Sequence, residues 1–206
     1  MDNELLFRLI LFTLLLALGV FRMYYHFKAG SVRESPYSEV EGKLLAALRG
    51  LFAIPWFLSL FIYTFYPAGI QWAQLPLPLW LRWVGVGLTT LSVLFIAWTN
   101  YALDKNFSTT LRVRANHTLV MTGPYQWIRH PMYSAILVML IGLGLLSANW
   151  FIGLSVLPFI VVIMVLRTRK EEAMLVDKFG DAYRAYQQRT GQFLPRWLGR
   201  SRSASA

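Results

Sequence analysis

A connector between two apolar runs carries the side chains of this sequence that are best suited to chemistry. Within seventeen residues it contains His117, His130, Tyr125, Tyr133 and Arg129, punctuated by a Gly-Pro and a His-Pro pair. Imidazole, phenol and guanidinium groups bind ligands and exchange protons, and a plain membrane loop does not need them together. We therefore take this connector, called the motif loop, as the candidate site.

A second polar cluster follows the last apolar run and is predicted to meet the motif loop. It reads Arg-Thr-Arg-Lys-Glu-Glu from Arg167 to Glu172. Arg167 and Glu171 are four residues apart and can pair on one helix face, although arginine before glutamate is the less favourable order. As functional groups, Glu171 can accept hydrogen bonds from amino or hydroxyl groups, and Arg167 can bind an anionic head. Glu172 points about 100° away, so Glu171 is the better candidate.

The two histidines also have two simpler interpretations, a metal site and a helix start. A metal site needs a third ligand, and the nearest carboxylates to His117 and His130 are Asp104 upstream or Glu171 and Glu172 across the hairpin. This spacing is not that of a typical metal site, so we predict none. Alternatively, His130 and the proline after it only begin a helix, which explains the proline but not the flanking aromatic residues.

Composition indicates an integral membrane protein. Hydrophobic residues make up 56% of the 206 residues, and the mean hydropathy is +0.47, whereas soluble domains are about 45–50% apolar. The chain has no cysteine, which excludes disulfides and cysteine-based zinc sites. The net charge of +10 lies mostly between or after the apolar runs, which favours contact with anionic lipid headgroups over nucleic-acid binding.

Five apolar runs predict an all-α, integral membrane helical bundle of about five transmembrane helices. The runs are residues 5–21, 44–66, 79–103, 132–146 and 150–166. The last two are joined by the short break Ser147-Ala148-Asn149 and are predicted to form a hairpin whose turn lies opposite the motif loop.

Basic residues predict the orientation of the bundle. The loop after the first run, the loop after the third run and the tail hold nearly all lysines and arginines, and the loops after the second and fourth runs hold none. The positive-inside rule then places the N-terminus outside and the C-terminus in the cytoplasm. We divide the chain into N-terminal transmembrane helices 1–3, residues 1–103, and a catalytic region, residues 104–206.

The tail is predicted to form a cytoplasmic helical region. Helical spacing of apolar residues extends the last span as an amphipathic helix that stops at Gly180. Asp181 is then expected to cap a short helix that contains Tyr183 and Tyr186 and ends at Gly191.

Three spaced patterns carry a family resemblance. They are His-x-Leu-Val-x-x-Gly-Pro-Tyr-x-x-x-Arg-His-Pro-x-Tyr at 117–133, Arg-x-x-x-Glu-Glu at 167–172, and Phe-Gly-x-x-Tyr-x-x-Tyr at 179–186. Together they resemble the isoprenylcysteine carboxyl methyltransferase family, which belongs to a wider group with phospholipid methyltransferases. The resemblance covers residues 106–195 and departs at 106–110, where relatives often carry an aromatic or glutamine-containing stretch.

The resemblance implies methyl transfer dependent on S-adenosylmethionine at the cytoplasmic membrane face. The tail carboxylate of Glu171 would hold the cofactor, and Arg167 would point toward the acceptor as the catalytic residue. By similarity, the cofactor would be lined by His117, Thr118, Leu119, Val120, Tyr125, His130, Pro131, Met132 and Tyr133. The favoured acceptor is the carboxylate of an isoprenylcysteine-like, lipophilic or lipid-anchored substrate, with membrane lipids as the other partners.

Other functions stay open from the sequence. The acceptor can instead be a phospholipid amine or a small thiol, and an amine would require a proton acceptor, for which Glu172 or Tyr133 are candidates. Distant similarity to sterol reductases leaves a membrane reductase as an alternative. A non-catalytic lipid-binding protein, in which the motif loop only caps helices, is the third.

Overall fold

The computed structural model describes residues 3–28, 43–103 and 119–196, with side chains of the second segment described from residue 47. Within these ranges the secondary structure is helical and contains no β-strand. The α-helices are α1 (Asn3–Lys28), α2 (Lys43–Phe65), α3 (Leu79–Leu103), α4 (Pro131–Ser147), α5 (Trp150–Leu154), α6 (Leu157–Phe179) and α7 (Asp181–Arg189). Short 3-10 helices cover Pro67–Ala73 and Gly123–Gln126.

The described chain crosses the bundle five times. Four spans are long and apolar enough for a bilayer: Asn3–Lys28, Ala47–Phe65, Leu79–Leu103 and Trp150–Phe179. The fifth crossing is α4, a shorter apolar helix of 17 residues. It runs antiparallel to α3, because the end of α4 contacts the start of α3 and the motif loop before α4 contacts the last turns of α3. The prediction of an all-α membrane bundle with about five spans is confirmed.

A tight turn joins α4 to α5, as the sequence predicts. Ala148 ends α4 in the left-handed conformation with φ 49°. The side chain of Asn149 caps α5 by accepting a hydrogen bond from the backbone N–H of Ile152 (3.2 Å), and its amide donates to the carbonyl of Ile70 (3.1 Å). Asn149 therefore fixes both the turn and the neighbouring 3-10 helix, at the end of the bundle away from the motif loop, called the far end.

A buried arginine joins four helices at the far end. Arg82 at the start of α3 forms an ion pair with Glu4 of α1 and donates to the carbonyl of Leu146 (3.1 Å) and the hydroxyl of Tyr63 (3.2 Å). Its guanidinium also lies 4.0 Å from the ring centroid of Phe7. Because a charge inside a membrane bundle is costly without partners, these contacts stabilise one relative arrangement of α1, α2, α3 and α4.

Small residues allow α3 and α4 to pack closely. A Cβ built on Gly85 would clash with the backbone of Leu146, and one built on Gly142 would lie 2.6 Å from the hydroxyl oxygen of Thr89. Gly87, two residues further along α3, has no such neighbour within 4 Å. Close packing of helix backbones replaces the hydrophobic effect as a source of helix association inside a bilayer. Gly85 therefore permits the close contact of α3 with α4, whereas Gly87 plays no part in it.

We expect Gly85→Ala to destabilise the bundle and Gly87→Ala to leave it intact. The added methyl group at Gly85 meets backbone that cannot move aside, which costs about 1–3 kcal/mol of unfolding free energy. Thermal unfolding of both variants in the same detergent measures the difference. Equal melting temperatures would contradict the close packing of α3 on α4.

Candidate functional site

The motif loop folds compactly against the ends of two helices. Gly123 adopts φ +60° and begins a 3-10 turn packed against Ala102 and Trp98 near the end of α3. His130 is the residue before α4, and Pro131 occupies its first turn. The helix-start interpretation is thus right for the proline, but the side chain of His130 makes no capping bond.

The imidazole and the preceding guanidinium bind a carboxylate from α6 instead. Glu172 Oε1 accepts hydrogen bonds from Nε of Arg129 (2.8 Å) and Nε2 of His130 (3.1 Å), and Oε2 accepts one from Nε2 of Gln187 (2.9 Å). We call these four side chains the Glu172 cluster. Charge-assisted bonds of this kind are the strong ones, so the cluster fixes the motif loop to α6 and α7.

The end of the tail adds backbone pairing to the same loop. The N–H groups of Arg129 and His130 donate to the carbonyls of Gly191 (2.8 Å) and Gln192 (3.0 Å), and the N–H of Gly191 donates to the carbonyl of Trp127 (3.1 Å). Arg129 Nη1 also donates to the carbonyls of Gln187 (3.1 Å) and Thr190 (2.6 Å). The motif loop and tail therefore form one unit, which is the spatial relation the sequence predicted.

Two details of the predicted tail are wrong. Asp181 is the first residue of α7 rather than its cap, since Gly180 occupies that position, with φ +54°. The helix ends at Arg189, before Gly191. Gly191 is placed instead by its pairing with the motif loop, where an added Cβ would clash with the carbonyl of Leu194. The predicted stop of the preceding helix before Gly180 is confirmed.

A cavity of about 900 Å³ begins at this unit and continues between the transmembrane helices. The end of the cavity beside the motif loop is polar. Apolar side chains of α1, α2, α4 and α6 line the other walls. Phe57 and Phe61 of α2 and Leu16 of α1 line it while keeping more than half of their surface exposed. The cavity is therefore accessible from the bilayer along α1 and α2.

Most of the predicted site residues lie on the wall of this one cavity. The lining residues from the predicted set are Leu119, Val120, Tyr125, His130, Pro131, Met132, Tyr133, Arg167 and Glu171. His117 and Thr118 lie outside the described residues, as does the divergent segment 106–110. Glu172 is not part of the lining, and its three hydrogen bonds make it a poor proton acceptor, contrary to the role considered for an amine acceptor.

His130 and Glu171 meet at the polar end of the cavity. Because the carboxylate of Glu172 only accepts hydrogen bonds, Nε2 of the imidazole donates to it. Nδ1 lies 3.9 Å from Oε2 of Glu171, whose side chain is 42% exposed. The carboxylate of Glu171 therefore suits a ligand that carries N–H or O–H donors.

Half-buried Tyr125 and buried Tyr186 complete the polar end with neutral phenols. Burial raises the pKa of Tyr125 well above its usual value, and the nearby Glu171 carboxylate raises it further. Burial also raises the pKa of Tyr186 to about 12, and its hydroxyl donates to the carbonyl of Tyr125 (2.6 Å). Both groups stay protonated near neutral pH, so Tyr125 offers the cavity a hydroxyl rather than a phenolate.

Sequence reasoning missed the architectural function of Arg129 and Glu172 and the presence of Arg22 and Arg49 in the cavity wall. The adjacent glutamates were a signal for the architectural function of Glu172, because neighbouring positions on a helix face different surfaces. Arg49 lies inside the second apolar run and Arg22 directly follows the first, within helix α1, and a charge within a membrane-spanning helix signals function.

We expect Glu172→Ala to detach the tail from the motif loop, while Glu171→Ala leaves it attached. Loss of three hydrogen bonds to a part-buried carboxylate should speed hydrogen exchange of the backbone N–H groups of Arg129, His130 and Gly191 by at least about tenfold. Hydrogen-exchange mass spectrometry of both variants measures this. Faster exchange in Glu171→Ala, or unchanged exchange in Glu172→Ala, would contradict the assignment.

The chain is similar in sequence to one protein family and to several known proteins. Residues 83–177 match the family model described as Isoprenylcysteine carboxyl methyltransferase (ICMT) family. The chain is 28% identical over 128 residues to the human Protein-S-isoprenylcysteine O-methyltransferase, covering 61% of this chain and 45% of the human one. It is 39% identical over 67 residues to an uncharacterized protein of Haemophilus influenzae, covering 32% of this chain and 100% of that protein.

One solved structure was also compared. The eukaryotic intramembrane Ras methyltransferase ICMT aligns with a TM-score of 0.48 and 21% identity, covering 79% of this chain and 54% of the other. The chain thus spans about half the length of the human relative and of this structure. The matched segment begins within α3, so α1 and α2 lie outside the family model.

Proposed function

Because the chain belongs to the isoprenylcysteine carboxyl methyltransferase family, we propose that it transfers a methyl group from S-adenosylmethionine to the carboxylate of a lipophilic acceptor. The acceptor class is an isoprenylcysteine-like or other lipid-anchored acid. The reaction is placed at the polar end of the cavity, between the motif loop and α6.

One observation carries the proposal. A single cavity joins a polar end, with Tyr125, His130 and Glu171, to an apolar channel between transmembrane helices. Its volume of about 900 Å³ lies near the upper end of the roughly 300–1,000 Å³ of small-molecule sites, which leaves room for a nucleoside and a lipid chain together. A water-soluble substrate does not require the apolar part.

The residues at the polar end fit the proposed cofactor. Glu171 offers an acceptor for amino and hydroxyl groups beside the imidazole of His130, Tyr125 offers a neutral donor, and Leu119 and Val120 offer apolar surface. S-adenosylmethionine, when bound, supplies an activated methyl group with a good leaving group. The protein then has to bind, orient and exclude water, which are effects of proximity and desolvation.

The same lining favours a carboxylate over an amine as acceptor. A carboxylate has no proton to lose before its oxygen attacks, whereas an amine needs a general base. Among the described residues of the lining, Glu171 is the only carboxylate, and we assign it to the cofactor. Arg167 lies four residues before it on α6 and lines the same cavity, where it is proposed to orient the acceptor anion.

The proposed orientation puts this end of the bundle in the cytoplasm. The N-terminus of α1 lies at the far end and the tail at the motif-loop end, since the chain crosses five times. Basic residues concentrate on the side of the tail, and the positive-inside rule then predicts an external N-terminus and a cytoplasmic C-terminus.

Calorimetric titration of the purified protein with S-adenosylmethionine and S-adenosylhomocysteine tests the cofactor. We expect binding by the wild type and loss of affinity of at least about tenfold in Glu171→Ala and His130→Ala, which remove hydrogen-bonding groups from the polar end. The surface variant Asp181→Ala serves as the control, because its carboxylate is exposed and pairs only locally with Arg184. Folded wild-type protein that binds neither compound, or binds a nicotinamide nucleotide instead, would end the proposal.

A radiolabelled methyl-transfer assay with prenylcysteine acids and lipid extracts tests the acceptor. We expect Arg167→Ala to lower turnover by about tenfold or more while cofactor affinity stays within about twofold, because the arginine contacts the acceptor anion and not the nucleoside. A parallel loss of cofactor affinity would assign Arg167 to the cofactor instead.

A further inference from the structure

Three arginines from three different helices face the same cavity. Arg22 of α1, Arg49 of α2 and Arg167 of α6 all belong to its lining, together with a single described carboxylate, that of Glu171. Arg129 also lines it and pairs with Glu172. Among the described lining residues, arginines therefore outnumber carboxylates, and such a lining attracts anions inside low-dielectric walls.

Arg22 and Arg49 sit at matching depths. Arg22 lies six residues before Lys28, where α1 ends, and Arg49 six residues after Lys43, where α2 begins. With a rise of about 1.5 Å per residue, each is about 9 Å inside its helix. Both helix ends lie on the motif-loop side, so the two arginines occupy the same level of the bundle.

The simplest alternative is that both side chains extend to the membrane surface and have no ligand. The position of Arg22 argues against it, because Nη1 lies 3.6 Å from the sulfur of Met132, in the first turn of α4. This guanidinium points across the cavity toward the motif loop. Arg49 lies one turn from Ala53 and two turns from Trp56, and both of these residues line the cavity. Arg49 therefore lies on the cavity-facing side of α2, toward the polar end.

These two arginines lie outside the segment that matches the family model, whereas the motif loop and Glu171 lie inside it. The cavity is thus built from residues inside the segment that matches the family model and from residues of α1 and α2 outside it. The exposed, apolar lining from α1 and α2, with Leu16, Phe57 and Phe61, is suited to a lipid chain rather than to a nucleoside.

We infer that Arg22 and Arg49 act together with Arg167 to bind the negatively charged head of the acceptor lipid, and that they restrict the site to anionic lipids. This inference rests on the proposed function and adds residues that select the acceptor.

The positive charge of these arginines also favours release of the product. Methylation converts the carboxylate into a neutral ester, since the carboxylate oxygen bonds the methyl carbon while the carbon–sulfur electron pair stays on sulfur, and the ester no longer attracts the arginines.

Equilibrium binding without cofactor tests the inference. The probes are N-acetyl-S-farnesylcysteine and its methyl ester, which differ by one charge and share one lipid chain. We expect the wild type to bind the acid at least about tenfold more tightly than the ester. Arg22→Gln and Arg49→Gln should each remove most of this preference by weakening acid binding alone, and Arg49→Lys should restore part of it.

Arg184→Gln is the matched control, because it removes the same charge from an exposed arginine of α7 that is paired with Asp181. It should keep the full preference, and thermal unfolding checks that every variant is folded. Equal wild-type affinity for acid and ester, or a variant that loses S-adenosylmethionine affinity instead, overturns the inference. A protein that discriminates acid from ester through these arginines but transfers no methyl group retains the inference and loses only the proposed reaction.

Discussion

The candidate site depends on the hydrogen bonds that the carboxylate of Glu172 accepts. It accepts hydrogen bonds from Arg129, His130 and Gln187, which belong to the motif loop and the last helix. Without it, the imidazole of His130 loses its hydrogen-bond acceptor, and the tail is held to the motif loop by the backbone pairing at Gly191 and Gln192 and by the bonds of Arg129 to backbone carbonyls. The neighbouring Glu171 can face the cavity because Glu172 carries out the structural task. Two adjacent acids therefore face different surfaces: Glu172 fixes the motif loop to the tail, and Glu171 lines the cavity.

The cavity combines two environments that are usually separate. Its polar end is built by the motif loop and tail, and its apolar walls by helices that also face lipid. The polar end lies where helices end, so the motif loop there has irregular backbone. This backbone is covered by protein, because N–H groups of the loop donate to carbonyls of the tail. The transfer of a small group to a lipid-anchored acid needs both environments within one ligand length.

Much of the architecture could be predicted from the sequence, because bilayer thickness and apolar runs together determine the spans. The hairpin turn at Ala148 and the helix stop at Gly180 followed from local chemistry. The ion pair of Arg82 with Glu4 did not, since it depends on which helix faces meet across 78 residues of sequence. The cavity could not be predicted either, because its volume results from the packing of four helices rather than from any local pattern.

The separation of Glu4 from Arg82 in sequence has a consequence for how the molecule is assembled. Synthesis proceeds from the N-terminus, so the acid of the first helix enters the translocation machinery before its cationic partner exists. The ion pair therefore forms only after the third helix has been made. Because the guanidinium of Arg82 is buried whereas the carboxylate of Glu4 is half exposed, the third helix depends on the first for compensation of its charge during biogenesis.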